Sequence, residues 1–173
     1  PRGRAYPEGG FGDAMRTVSQ LIQADVGVEV ACVDLGGWDT HVIQGGAEGI
    51  MANNLTELGE GIAAFYEDLG DKMGRVTVMV MSEFGRRIQE NAGAGPDRGH
   101  GNMMMVLGGG IAGGQVVSRW PGLSREQQTG PGDLTITTDY RDVLAEIVQQ
   151  RLNNPRVTDV FPGYAANPLG LVH

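Results

Sequence analysis

Apolar positions recur along this chain at two periods, and the switches between them mark out its elements. Met15, Val18, Leu21 and Ile22 share one face of a predicted helix, with Asp13 placed as its N-cap. Residues 26–35 (VGVEVACVDL) follow as a short, β-branched, mostly apolar run, the pattern expected of a strand buried on both faces of an α/β sheet. Ile50, Met51, Leu55, Leu58, Ile62, Phe65, Leu69 and Met73 then alternate spacings of three and four, which predicts a long amphipathic helix ending near Gly70 or Gly74. Residues 76–81 (VTVMVM) read as a second buried strand, and the order strand, helix, strand predicts a right-handed parallel crossover.

From Ser82 to Asn102 there is no helical period, only a loop rich in glycine, arginine and polar residues. The apolar run 103–107 follows it with no helix to cross over, so a third strand there is expected antiparallel to the second. Two glycine clusters at 108–110 and 113–114 mark turns, and residues 121–132 read as a surface excursion. A short strand at 134–137 leads into a helix capped by Asp139 or Thr138, with Tyr140, Val143, Leu144, Ile147, Val148 and Leu152 on its apolar face until Asn153-Asn154-Pro155. The expected layout is an arm or linker over 1–12, one domain over 13–155 and an irregular tail over 156–173.

Composition narrows the function classes. The 173 residues carry 21 acidic and 13 basic side chains, a net charge of −8, which argues against a nucleic-acid or anionic-membrane binder held by charge. A hydrophobic fraction of 40% supports a real core. Glycine occurs 29 times, well above its usual share of ~7%, so tight turns and close backbone approaches are expected throughout. Cys32 is the only cysteine, which excludes an internal disulfide and a thiolate zinc cluster, and its apolar setting predicts a buried, inert thiol. No stretch reaches the ~20 apolar residues of a membrane-spanning helix. The chain opens on Pro1, from which a processed or excised piece is expected.

In open α/β sheets, ligands bind beyond the carboxyl ends of the strands, and three polar clusters fall there. Trp38-Asp39-Thr40-His41 follows the first expected strand, and Ser82-Glu83-Phe84-Gly85-Arg86-Arg87 follows the second. Asp97-Arg98-Gly99-His100-Gly101-Asn102 precedes the third, whose antiparallel direction returns it to the same edge. Topology therefore predicts Asp39, His41, Glu83, Asp97 and His100 in one crevice. Carboxylates and imidazoles are ligands for divalent ions, and Arg86, Arg87 and Arg98 offer planar donors to an oxyanion. Structural roles compete with these: Asp39 and Thr40 as turn caps, His41 as a hydrogen-bonded loop residue, Glu83 as the ion-pair partner of Arg86 or Arg87, and Gly99 and Gly101 as requirements of a tight loop around His100. The methionines at 103–105 fit a core strand, and the glycines at 108–110 lack the lysine and the helix of a phosphate-binding loop.

VDLGGWDTH, MSEFGRRIQENAGAGPDRGHGN leading into MMMVLGGGIAGGQVV, and TITTDYRDVLAEIV together resemble the C-terminal half of the bacterial family called domain of unknown function 1501. That family is similar in turn to the alkaline phosphatase, sulfatase and phosphoglycerate mutase superfamily. The resemblance spans about Gly27 to Leu152 and implies a three-layer α/β sandwich with a mostly parallel mixed sheet, incomplete in this chain. Ser82-Glu83-Phe84-Gly85 falls where the superfamily has Ser-Asp-His-Gly, so Glu83 keeps a metal carboxylate while Phe84 replaces a histidine ligand. His100 matches the last metal histidine, and Asp39 with His41 stands for the remaining ligand pair, without its usual three-residue gap. Arg98 stands where many relatives have histidine. What the resemblance implies is a metal-dependent hydrolase of phosphate or sulfate esters that uses zinc, manganese or calcium and occurs in exported proteins. Asp39, His41, Glu83 and His100 would be its ligands, and Arg86 and Arg98 its oxyanion partners. The nucleophile would come from a missing N-terminal half or a partner chain, leaving the isolated chain inactive. The alternative is an inactive sulfatase-like binding or secretion-associated module.

Overall fold

A computed structural model describes residues 4–173. In chain order the described elements are α1 (Gly10–Gln23), α2 (Ile50–Leu69), a 3-10 helix at Gly70–Arg75, β1 (Thr77–Val80), β2 (Gly85–Glu90), β3 (Pro96–Gly99), β4 (Met105–Gly108), a 3-10 turn at Arg125–Gln127, α3 (Tyr140–Gln150) and the short α4 (Val157–Val160). The chain divides into two compact units. The first comprises residues through Met73 together with Gln89–Asp97, the second Gly74–Ile88 together with Arg98–His173.

The first unit is built on α1 against α2, whose residues Phe11, Met15, Leu58, Ala64, Phe65 and Leu69 are buried, as is Met73 of the 3-10 helix that follows. Helix α1 starts at Gly10, three residues before the expected cap, because Gly9 takes a left-handed φ of 107° that turns the chain into the helix. Asp13 instead lies in the first turn, where it pairs with Arg16 at 2.8 Å and complements the helix dipole. The expected 1–12 arm thus gives up its last residues to α1, and its first three positions lie outside the described residues. The rest of the arm is fastened to α2: the Arg4 backbone N–H donates to Glu67 at 2.8 Å, and the Tyr6 hydroxyl donates to Asp68 at 2.9 Å. The fully buried Ser19 hydroxyl donates to the same carboxylate at 2.7 Å.

Residues 26–35 are not the buried strand that their composition predicts. They form no strand, their backbone amides donate no hydrogen bond among the described residues, and Val26 and Val30 are 62% and 67% exposed. Cys32, expected inside, is exposed. A β-branched apolar run encodes an extended backbone, but a strand also needs a neighbouring backbone to pair with, and the run does not encode that neighbour.

In the second unit, β1 pairs antiparallel with β4, in the register Thr77 with Gly108 through Val80 with Met105. This is the orientation expected for the third apolar run. The other sheet is the β2–β3 hairpin, formed within the stretch that sequence periodicity assigns to a loop; its residues 85–88 and 98–99 belong to the second unit and Gln89–Asp97 to the first. The mostly parallel three-layer sandwich is therefore wrong: the described residues hold two short two-stranded sheets, and the pairing of β1 with β4 is antiparallel. Glycines and arginines in 85–99 hid the hairpin, since they carry no period-two hydrophobic alternation. The expected strand at 134–137 is likewise irregular.

Helix α3 starts where expected. The Asp139 side chain accepts from the Arg141 backbone N–H at 2.9 Å and grips its guanidinium at 2.9 and 2.7 Å. That grip holds the Asp139 carboxyl below its ordinary range. The buried Glu146 carboxylate accepts backbone N–H groups from Leu169, Gly170, Leu171 and Val172 at 2.6–3.1 Å, tying the otherwise irregular tail to α3.

Candidate functional site

The six residues singled out by sequence fall in both units: Asp39 and His41 in the first, Glu83, Arg86, Arg98 and His100 in the second. In the first unit, the segment after Gly37 is held by the turn at 91–95. Ile43 N–H donates to the Gly93 carbonyl at 2.8 Å, and Gln44 N–H to the Ala94 carbonyl at 3.0 Å. Thr40 is buried there and donates to the Gln44 side chain at 2.6 Å. The His41 ring lies between two carboxylates, its Nε2 at 2.8 Å from Asp39 Oδ1 and its Nδ1 at 3.6 Å from Asp97 Oδ1. The Asn91 amide donates to the His41 carbonyl at 3.0 Å and to Asp97 at 2.9 Å, fixing the far side of the clamp. An imidazole donating from Nε2 to Asp39 has no lone pair on that nitrogen for a metal. Asp39 and His41 are thus brought together as partners of each other.

In the second unit, the β2–β3 hairpin brings Phe84, Arg86, Arg98 and His100 to one end. Arg86 N–H donates to the Gly101 carbonyl at 3.2 Å across the strands. Both the Arg86 and the Arg98 guanidinium lie 4.9 Å from the centre of the Phe84 ring, so one aromatic face system carries two cations. Glu83 is exposed and forms no ion pair among the described residues, which leaves its expected pairing with Arg86 or Arg87 unmade. The glycines around His100 are explained by the backbone alone. A Cβ on Gly99 would lie 2.6 Å from the Arg86 carbonyl, and one on Gly101 would lie 2.5 Å from the Leu134 oxygen.

Asp133, which no sequence signal marked, completes this cluster. The turn before it is closed by reciprocal bonds between Thr129 and Asp133, and Ile88 N–H donates to the Gly132 carbonyl at 3.0 Å, laying residues 132–134 along the edge of β2. There Asp133 is buried, with Oδ2 at 2.6 Å from His100 Nδ1 and Oδ1 at 3.5 Å from Arg87 Nε. Its place in a Gly/Pro-rich turn, beyond any periodic segment, is why the pattern did not reveal it. Among the described residues no group of three or more histidine, cysteine or acidic side chains is placed to hold an ion.

The sequence family described as protein of unknown function (DUF1501) matches residues 5–171. No curated protein and no solved structure matches the chain.

Proposed function

The chain belongs to the DUF1501 family, and on that premise we propose that it takes part in the hydrolysis of phosphate or sulfate esters, with Arg86 and Arg98 binding the substrate oxyanion and His100 beside them. The observation that carries this reading is the stacking of both guanidiniums on Phe84, at the end of the hairpin that also bears His100. A guanidinium is a planar cation whose N–H donors match the geometry of a tetrahedral oxyanion, and stacking on a ring fixes its plane. Phe84 stands where the resembling superfamily has a metal histidine, so this chain has an aromatic platform for cations in place of one ligand. The motif similarity to the alkaline phosphatase and sulfatase superfamily, and a C-terminal placement within that pattern, support the same chemistry. A divalent ion implied by that similarity does not fit the donors as they stand, since Asp39 and His41 bind each other.

Full-length protein is to be assayed on an aryl phosphate and an aryl sulfate, with and without added zinc, manganese or calcium, alongside calorimetric titration with inorganic phosphate and sulfate. Turnover is expected, together with oxyanion binding that weakens about tenfold or more in Arg86→Ala and in Arg98→Ala, the range for loss of one charge-assisted contact. Absence of both turnover and oxyanion binding would overturn the proposal. The second reading is then a non-catalytic binding or secretion-associated module, favoured by the mutual pairing of Asp39 with His41.

A further inference from the structure

We infer that Asp133 is the positioning residue of the His100 site, holding the ring with its proton on Nδ1 so that the Nε2 lone pair faces outward to receive a hydrogen bond from a hydroxyl or water. The inference rests on the ester-hydrolysis reading for its purpose, but the geometry stands by itself. The Asp133 side chain is 5% exposed while that of His100 is 77% exposed, so the pair is anchored at the carboxylate and open at the imidazole. A carboxylate 2.6 Å from Nδ1 can only accept, which places the ring proton between them. The other nitrogen then has its lone pair on the exposed side of the ring, the atom with which an imidazole takes up or relays a proton.

Arg87 explains why a charged residue sits at this depth. Its Nε faces Asp133 Oδ1 at 3.5 Å, an ion-pair contact without a hydrogen bond, so the carboxylate lies between a guanidinium and an imidazole, and a buried carboxylate is retained only beside such charges. This arrangement also dictates what an isosteric amide would do. In Asp133→Asn the partly negative amide oxygen is drawn to the Arg87 cation and the NH2 group, repelled by it, faces His100. Nδ1 must then accept, and the neutral ring is driven to carry its proton on Nε2.

The measurement is the nitrogen chemical-shift pattern of the His100 side chain in full-length protein labelled at histidine, at a pH where the ring is neutral, with the signal assigned by its loss in His100→Gln. Wild type is expected to show the Nδ1–H form and Asp133→Asn the Nε2–H form, with Asp133→Ala relaxing toward the mixture of a solvated imidazole. A wild-type ring protonated on Nε2 overturns the inference without recourse to any variant. So does an Nδ1–H form that persists in Asp133→Asn or, if that variant fails to fold, in Asp133→Ala. Failure of the hydrolase reading would register separately, as absent turnover and oxyanion binding with the Nδ1–H form intact.

Discussion

At the scale of single residues, two carboxylate systems show how a hydrogen-bond set decides what a side chain does. Asp68 is held below its ordinary value of 3.8, first by the Ser19 hydroxyl, with further hydrogen bonds from Tyr6 and Gln23. Tyr6 is pushed up to about 12, first by burial and then by its bond to Asp68. The signs of the two linkages are opposite. A carboxyl lowered on folding contributes stability above its unfolded value and loses it as pH falls through the folded value, whereas a raised phenol contributes below about pH 10 and loses it as pH rises toward 12. Urea unfolding of Asp68→Asn is therefore expected to lose part of the acid-side dependence below about pH 4, and Tyr6→Phe part of the alkaline dependence above about pH 10. Unchanged profiles in both variants would show that this network contributes nothing to stability. In the other system, Asp133 shows the same logic at a candidate site, where one buried carboxylate orders an exposed imidazole.

At the scale of elements, the α1–α2 pair was legible because both helices carry a period near 3.6 and enough apolar residues to bury a stripe. How closely they approach was not legible, since it depends on Gly61. A Cβ there would lie 2.3 Å from Phe11 Cε1, so the aromatic ring occupies the space a side chain would need. Gly61→Ala is expected to destabilise this unit by about 1–3 kcal/mol, despite the better helix propensity of alanine, because a packed ring must leave its rotamer. Chemical denaturation measures the effect; a gain in stability would show that Phe11 is free to move. The β2–β3 hairpin illustrates the opposite case, an element held by backbone pairing and glycine clearances rather than by an apolar alternation, and so invisible to pattern reading.

For the whole chain, irregular segments of the two compact units differ in how far their backbone is satisfied. The second ties its tail through Glu146, so that even the irregular residues 169–172 have partners. The first leaves residues 26–36 irregular and, among the described residues, without amide hydrogen bonds. Amide hydrogen exchange is expected to be fast across that segment and slow in the middle of α2, since protection follows the free energy of opening a hydrogen-bonded structure. Strong protection at 26–36 in the isolated chain would mean that another strand covers it in solution.

The sequence by itself determined the three longest helices, a cap at Asp139 or Thr138, the antiparallel relation of the strands at 77–80 and 105–108, and the family, because each of these is written in local periodicity, local hydrogen-bonding groups or contiguous motifs. Tertiary structure alone decided that residues 26–35 stay unpaired, that 85–99 forms a hairpin, that His41 is clamped between Asp39 and Asp97, and that Asp133 reaches His100 across 33 positions. The reason is common to all four: a hydrogen bond or a strand pairing needs a second backbone or side chain from elsewhere in the chain, and no local pattern records which distant residue arrives to supply it.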